Sequence, residues 1–156
     1  SSVMERLIMV RELAGDEPVL VAYGDCLSDI DIQEMVESHR RQQSLATVAI
    51  AHPTGRNEIL ALNEQGCYIG TKQGKKQKHS WVNACSMVLE ARTFDYLKEN
   101  QKNHFVLSLM DCLAAHEPVQ TYRHEGFWSP VETIRDKTWM ENLWAQHKAP
   151  WKVWED

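Results

Sequence analysis

A short apolar run that ends near a carboxylate constrains the fold of this chain more than any other feature. Val19-Leu20-Val21-Ala22 has the length and composition of a buried β-strand, and Gly24 and Asp25 follow it in a polar turn. Asp31 then opens a helical pattern as an N-cap, with Glu34 three residues later as its capping-box partner. Ligands of open α/β sheets bind beyond the carboxyl ends of the strands, which makes Asp25 a candidate ligand-binding residue. Aspartate is also a common turn former, and this stretch alone leaves both functions open.

The rest of the chain continues the alternation of strands and helices. A second apolar run, Ala46–Ala51, follows the helix, and a strand, helix and strand unit of this length predicts a right-handed parallel connection. Apolar alternation and helical periodicity predict the other elements, which are a helix over 4–14, a hairpin over 58–69, strands over 81–90 and 119–128, a helix over 105–116 and a last helix opened by Thr133 with Asp136. We therefore expect one α/β domain over residues 1–156, with a mixed, mostly parallel sheet flanked by helices.

Charge and hydropathy exclude two classes of partner. The 156 residues carry a formal net charge of −5, whereas a nucleic-acid-binding protein needs a basic face to neutralise phosphates. No apolar stretch approaches the roughly 20 residues of a membrane span, and the N-terminus lacks the pattern of a signal peptide. We expect a cytoplasmic protein that binds neither nucleic acid nor membrane.

Common catalytic and metal-binding motifs are missing from the sequence. The four cysteines, Cys26, Cys67, Cys85 and Cys112, form no CxxC pair or zinc-ligand spacing, and we expect reduced thiols. The histidines do not cluster with a serine or cysteine as in a catalytic triad. The basic run over 70–78 is not a P-loop, because its glycine spacing is one residue short and a lysine replaces the magnesium-binding hydroxyl. It is a solvated loop, or an anion contact through Lys72.

One polar side chain interrupts the apolar run over 81–90. Asn83 is flanked by Val82 and Ala84, a position typical of a buried amide. A buried amide needs hydrogen-bond partners, which are either backbone groups or the hydroxyls of a ligand.

Several motifs together resemble those of a known family. The first 90 residues contain Tyr23-Gly24-Asp25-x-x-Ser28-Asp29-x-Asp31-Ile32, followed by Trp81-Val82-Asn83 and Val88-Leu89-Glu90. The C-terminal half contains Tyr122-Arg123-His124-x-Gly126-Phe127-Trp128, then Thr133-x-Arg135-Asp136-Lys137, and ends with Lys148-Ala149-Pro150-Trp151-Lys152-Val153-Trp154. In this order they resemble the sugar-phosphate nucleotidyltransferases, and the C-terminal motifs resemble the glucose-1-phosphate cytidylyltransferase branch. The resemblance implies part of a Rossmann-like nucleotidyltransferase fold.

The resemblance also implies a reaction and a set of site residues. In this family the sugar phosphate attacks the α-phosphorus of CTP, which gives CDP-glucose and pyrophosphate. By resemblance, Asp25 and Glu132 hold Mg²⁺, a cation that prefers a few carboxylates together with substrate phosphates. Lys72 corresponds to the lysine that grips the sugar phosphate, which makes Asp25 and Lys72 the catalytic residues. Asn83 and Tyr23 are the expected substrate-binding residues.

The chain differs from the family pattern beside these residues. Glu132 stands where the family has an aspartate, and Thr71 and Gln73 flank Lys72 where the family has glutamate and proline. Cys26 replaces a glycine beside the metal, and the pair Ala84-Cys85 replaces two glycines after the asparagine. These changes put side chains where the family keeps space.

The glycine-rich loop that binds the triphosphate has no counterpart in this sequence, because its seven glycines are isolated. We therefore expect the C-terminal half of the family fold, inactive alone. The edge of the strand at Val19 would then be exposed, and exposed edges invite pairing. A homo-oligomer or a partner chain that supplies the N-terminal half is the expected solution. The alternative is a non-catalytic sugar-phosphate-binding or assembly domain whose tryptophan-rich C-terminus forms an interface.

Overall fold

A computed structural model describes residues 3–53, 58–72, 79–99 and 106–155. Its elements, in chain order, are α1 Val3–Ala14, β1 Val19–Ala22, β2 Cys26–Ser28, α2 Ile32–Gln42, β3 Ala46–Ala51, β4 Ile59–Leu62, β5 Tyr68–Lys72, β6 Val82–Leu89, α3 Thr93–Glu99, α4 Val106–Ala114, β7 Val119–Arg123, β8 Trp128–Pro130 and α5 Ile134–Ala145. Of the predicted basic loop over 70–78, residues 70–72 are instead the end of strand β5, and residues 73–78 lie outside the described residues.

Six strands form the main sheet in the order β1-β6-β3-β7-β5-β4. The predicted hairpin is confirmed, since β4 and β5 pair antiparallel, with Ile59 opposite Lys72. β1 lies at one edge of the described sheet and pairs with β6 alone, with Val19 opposite Leu89. Among the described strands, β1 is therefore an edge strand of the sheet, as predicted.

The sheet is mixed and flanked by helices, as predicted, but it is not mostly parallel. Among the described strands only β3 and β7 are parallel neighbours, and all other adjacent pairs are antiparallel. β1 and β3 do run in the same direction, because β6 lies between them and is antiparallel to both. The apolar runs correctly predict that β3 and β6 are largely buried, but β1, predicted as a buried strand, is partly exposed because it lies at the sheet edge. The runs also carry no signal for the strand that inserts between two others.

The predicted strand over 119–128 is two strands in two sheets. β7 ends at Arg123, and after a short loop the chain re-enters as β8, which pairs with β2 in a separate two-stranded sheet. The stretch after Asp25, predicted as a polar turn, thus contains the short strand β2. In its register Cys26 lies opposite Pro130 and Ser28 opposite Trp128. Three-residue strands are too short for period-2 alternation to identify them.

Apolar clusters cover both faces of the main sheet. One cluster combines β-strand residues with side chains of α1, α3 and α4, among them Leu7, Phe94 and Leu113. The other places Met35 of α2 and Trp128 of β8 against Ala49 and Val82. Met35 and Phe94 are fully buried. This arrangement of helices on both faces is the three-layer architecture expected of an α/β fold.

Hydrogen bonds at the N-termini of α2 and α5 confirm the predicted caps. Asp31 Oδ1 accepts from the backbone N–H of Glu34 at 2.9 Å, while the Glu34 carboxylate pairs with Arg41 rather than completing a capping box. At α5 the box is complete: Thr133 Oγ1 accepts from Asp136 N–H at 3.2 Å, and Asp136 Oδ2 accepts from Thr133 N–H at 2.9 Å. In the described part of the chain, the helices lack the length and hydropathy needed to cross a membrane.

Candidate functional site

Asp25 lies in the turn that joins the two sheets, and backbone hydrogen bonds hold this turn on both sides. Before it, Tyr23 N–H donates to Cys85 O of β6 at 3.0 Å. At the aspartate itself, the backbone O accepts from Val131 N–H at 2.8 Å. The Asp25 side chain is exposed. The turn is thus fixed by its backbone, and its carboxylate is left available to a ligand.

Glu132 is brought to the same place by the pairing of β2 with β8. It follows Val131, whose N–H holds Asp25, and precedes the Thr133 cap of α5. Its own N–H donates to Asp136 Oδ2 at 3.1 Å, so the α5 capping box also fixes the backbone of Glu132. Glu132 also lines a cleft of about 490 Å³ that includes Phe127 and Trp139. The two carboxylates predicted to bind metal therefore extend from neighbouring backbone positions.

A bulge in β6 positions Asn83 and Cys85. The β3–β6 register shifts between Val48 and Ile50, and Cys85 has a φ of 64°. A side chain in this left-handed region costs about 1–2 kcal/mol, which glycine avoids. Asn83 Oδ1 accepts from Cys85 N–H at 2.8 Å, and Asn83 Nδ2 lies 3.9 Å from Met110 Sδ. The Asn83 side-chain carbonyl thus stabilises the bulge. Of its two amide N–H groups, one donates to Met110 Sδ and the other is left for a ligand.

Two thiols lie beside Asp25. One ligand atom each from Asp25, Cys26 and Cys85 lie within 4.8 Å of one another, and both cysteines are free. A hydrogen bond from the Cys85 thiol lowers the pKa of Cys26. The same hydrogen bond, burial and the charges of Cys26 and the nearby carboxylates raise the pKa of Cys85. Sequence spacing missed this cluster, because the fold and not a short motif joins the cysteines. The one sequence signal was that both stand where the family has glycine.

Tyr23 lies two residues before Asp25, and its backbone N–H donates to Cys85 O. Its hydroxyl is buried and has no hydrogen-bond partner among the described residues. Burial raises the pKa of Tyr23 to about 12, with smaller contributions from the charges of Cys85 and Asp25. An unpaired buried hydroxyl costs about 1–3 kcal/mol. A ligand that hydrogen bonds with this hydroxyl would remove that cost.

Lys72 is placed differently from the other predicted site residues. It is the exposed last residue of β5, opposite Ile59 in the outer hairpin. In the strand order β5 is separated from β1 by β6, β3 and β7, and no contact joins Lys72 to Asp25 in the described part of the chain. The structure thus gathers Tyr23, Asp25, Asn83 and Glu132 around the bulge and the β2–β8 ends, and leaves Lys72 apart.

The His124 motif has a packing function beside the site. His124 Nε2 lies 2.9 Å from both Asp29 Oδ1 and Phe127 O, and the ring is buried. A Cβ on Gly126 would lie 2.6 Å from Asp29 Oδ1 and 2.8 Å from His124 Cε1, so only glycine fits without displacement. This motif fixes the loop between β7 and β8 against the turn that follows β2.

Comparison with known proteins shows which proteins this chain resembles. No protein-family model matches the chain. It is 33% identical over 141 residues to a glucose-1-phosphate cytidylyltransferase of Salmonella typhi, and 31% identical over 140 residues to that of Salmonella typhimurium; each match covers 90% of this chain and 54% of the relative. The chain is similar in sequence to the C-terminal half of these cytidylyltransferases. It spans about half the length of the curated relatives that it matches.

The fold is also that of solved nucleotidyltransferases. A Bacillus anthracis protein assigned as a glucose-1-phosphate thymidylyltransferase matches all of this chain and 63% of its own length, with a TM-score of 0.78 at 15% identity. At this identity the likeness concerns the fold alone. It confirms the mixed-sheet nucleotidyltransferase architecture expected from the motifs.

Proposed function

We propose that the Asp25 turn, the β6 bulge and Glu132 form the sugar-phosphate and metal-binding half of a nucleotidyltransferase site. The observation that carries the proposal is the 2.8 Å hydrogen bond from Val131 N–H to Asp25 O, which sets Asp25 beside Glu132. The curated relatives are glucose-1-phosphate cytidylyltransferases, and the proposed substrates are therefore glucose 1-phosphate and CTP. The chain matches 54% of these relatives, and we place the triphosphate-binding groups of the proposed reaction in the part of the relatives that it does not match.

In the proposed reaction a phosphate oxygen of the sugar 1-phosphate attacks the α-phosphorus of the nucleoside triphosphate. The new phosphorus–oxygen bond forms as the bond from the α-phosphorus to the bridging oxygen of the β-phosphate breaks, and pyrophosphate leaves with that electron pair. No nucleophilic side chain is needed. The work of the protein is to position the two substrates and to balance their negative charge.

The donor set at the strand ends fits Mg²⁺. This ion takes one or two carboxylates and keeps water or substrate phosphates as its other ligands. Asp25 and Glu132 provide two exposed carboxylates, which leaves room for such ligands. When bound, the ion supplies positive charge against the phosphates of the substrates.

The remaining polar groups of the site suit a sugar. Asn83 Nδ2 donates hydrogen bonds, and the Tyr23 hydroxyl is buried without a partner among the described residues. Both groups match the hydroxyl-rich surface of a hexose. Lys72, which lies apart from them, remains the proposed phosphate contact, and we expect it to act only if the hairpin and the turn face the same ligand.

Calorimetric titration tests this proposal. The full chain is titrated with glucose 1-phosphate and with CDP-glucose, each with and without Mg²⁺. We expect magnesium-dependent binding that is lost in Asp25→Asn and in Glu132→Gln. Asp16→Asn is the matched control, because Asp16 is an exposed aspartate in the turn before β1. Absence of binding under all conditions, or equal binding by Asp25→Asn and Asp16→Asn, would contradict the proposed function.

A second candidate function is an assembly domain, supported by apolar exposure on α5 and in the tail. Large apolar side chains are exposed there to solvent, namely Ile134 at 84%, Val153 at 71%, Trp154 at 53% and Trp144 at 50%. Exposed aromatic clusters are typical of interfaces. A second copy of the chain is the proposed partner. Light scattering on the parent chain and on Trp144→Ser tests the assembly function. If the parent chain and the variant are both monomers, the assembly function is overturned.

A further inference from the structure

We propose that Asp25, Cys26 and Cys85 form a binding site for a thiophilic divalent cation of the Zn²⁺ class. Their ligand atoms lie within 4.8 Å of one another. The site rests on the positions of two thiols, and it stands whether or not the chain binds a sugar phosphate. It uses a donor set that differs from the two carboxylates proposed for Mg²⁺.

The donor chemistry selects the class of cation. Thiolates are soft ligands that favour Zn²⁺ and Cu⁺, whereas Mg²⁺ prefers oxygen ligands. A set of two sulfurs and one carboxylate therefore favours zinc. Such a set leaves the fourth position of a tetrahedral ion open, as in catalytic zinc sites with three protein ligands. The exposed side of the site at Asp25 gives water access to that position.

The distances require little movement. Zinc binds sulfur at about 2.3 Å and carboxylate oxygen at about 2.0–2.2 Å, so two ligand atoms on one tetrahedral ion lie roughly 3.5–3.8 Å apart. Contraction of the present cluster by about 1 Å reaches this geometry, and small side-chain rotations supply it. Both sulfurs are half-buried, which shields them from competing solvent.

The backbone holds the two cysteines in place. Cys85 sits at the bulge with a φ of 64°, where its N–H donates to Asn83 Oδ1 at 2.8 Å and its O accepts from Tyr23 N–H at 3.0 Å. Cys26 begins β2, opposite Pro130. Ligands on fixed elements bind metal with little ordering cost. This position of Cys85 also explains why a strained, non-glycine residue is useful at the bulge.

Cadmium titration of the reduced full chain tests the site directly. Cd²⁺ bound to thiolate gives an ultraviolet charge-transfer band, and we expect one equivalent per chain to saturate it. Cys26→Ser and Cys85→Gly are each expected to weaken Cd²⁺ binding by more than about tenfold, since changes outside the ligand shell already cost 10–100-fold. Glycine is chosen at Cys85 because it accepts the positive φ without strain.

Cys67→Ser with Cys112→Ser is the matched control, since both thiols lie outside the cluster, and it should keep the full band. Circular dichroism of every variant verifies the fold. The proposal is overturned if the reduced chain gives no band, or if Cys26→Ser or Cys85→Gly binds Cd²⁺ as tightly as the parent chain does, whatever the control shows.

Competition gives a second readout. Asp25 belongs to both donor sets, and Zn²⁺ should therefore displace Mg²⁺-dependent sugar-phosphate binding in the parent chain but not in Cys85→Gly. Failure of sugar-phosphate binding with an intact cadmium band would contradict the proposed function alone. Loss of the band with intact sugar-phosphate binding would contradict the thiophilic site alone.

Discussion

Two turns flank the β2–β8 pair, and they differ in how their polar groups are used. On one side Asp29, His124 and Gly126 pack so closely that a Cβ on the glycine would meet Asp29 Oδ1 at 2.6 Å. On the other side Asp25 is exposed, the Tyr23 hydroxyl is buried without a partner among the described residues, and Cys85 is in a left-handed conformation. We call these the packed turn and the open turn.

The difference separates residues that stabilise the fold from residues available to a ligand. The motifs that resemble the nucleotidyltransferases include residues of both turns. The sequence alone does not show which of these residues bind a ligand and which stabilise the fold. Strained backbone conformations cluster at functional sites, and Cys85 beside the open turn has such a conformation. The packed turn therefore explains why its motif residues are needed for stability, and the open turn is the place to look for chemistry.

The largest expected effect comes from filling the packed turn. Gly126→Ala places a methyl group against Asp29 and His124, and we expect the free energy of unfolding to fall by about 1–3 kcal/mol. Gly24→Ala in the open turn is the matched control, because nothing lies within 4 Å of its Cβ position, and its effect should stay within about 0.5 kcal/mol. Chemical denaturation measures both. Equal losses would show that the two turns do not differ in packing.

The next effect concerns the backbone strain of the open turn. Cys85→Gly and Cys85→Ala both remove the thiol, but only glycine relieves the left-handed conformation. We expect the glycine variant to be more stable than the alanine variant by about 1 kcal/mol, the reverse of the usual order in strands. Thermal and urea unfolding of the two variants measure this difference. An alanine variant as stable as the glycine variant would mean that the bulge is unstrained.

A pair of tyrosines gives a smaller contrast. Tyr68 Oη donates to Asp111 Oδ1 at 2.7 Å, and Tyr68→Phe should lower the free energy of unfolding by about 0.5–1.5 kcal/mol. Tyr23→Phe removes a hydroxyl without a described partner, so it should leave stability unchanged or raise it by up to about 1 kcal/mol. Denaturant titration at neutral pH measures the free energy of unfolding of both variants. A loss in Tyr23→Phe equal to that in Tyr68→Phe would contradict the open turn.

The smallest effect is a pH dependence at the cap beside Glu132. Hydrogen bonds with Thr133 hold the pKa of the Asp136 carboxyl below its usual range. A lowered pKa adds stability above the unfolded value of about 3.9, and this stability is lost as the pH falls through the folded pKa. The stability difference between the parent and Asp136→Asn should be constant above about pH 5 and shrink in acid. Urea unfolding across this pH range measures the stability difference. A difference that stays constant down to low pH would show that the lowered pKa of Asp136 does not contribute to stability.

Part of this structure follows from the sequence. Asp31 and the Thr133 and Asp136 pair cap their helices as predicted, because capping depends on residues within one turn. The apolar runs at Ala46–Ala51 and 81–90 are strands as predicted; β3 is buried throughout, and most residues of β6 are buried. Local pattern gives these elements without knowledge of the rest of the chain.

Other features depend on contacts that no short window contains. The insertion of β6 between β1 and β3 makes the sheet mostly antiparallel, and the pairing of β2 with β8 splits a predicted strand in two. Of the candidate site, Asp25 was indicated by its position after a strand, and Glu132 was named only by the resemblance; the hydrogen bond from Val131 N–H to Asp25 O brings their backbones together. The resemblance could not predict that Cys26 lies close to Cys85, because both cysteines stand at positions where this chain differs from the family.

The position of β6 also has a consequence for the speed and order of folding. β1 and β3 are made early in synthesis, but they have no described strand contact with each other, and Val19 must wait for Leu89 to complete its pairing. Such distant pairing raises the contact order of the chain, and folding slows because a long loop must close before the contacts form. Until β6 arrives, the first strands are exposed apolar segments, and this interval is when a chaperone would be of most use to the protein.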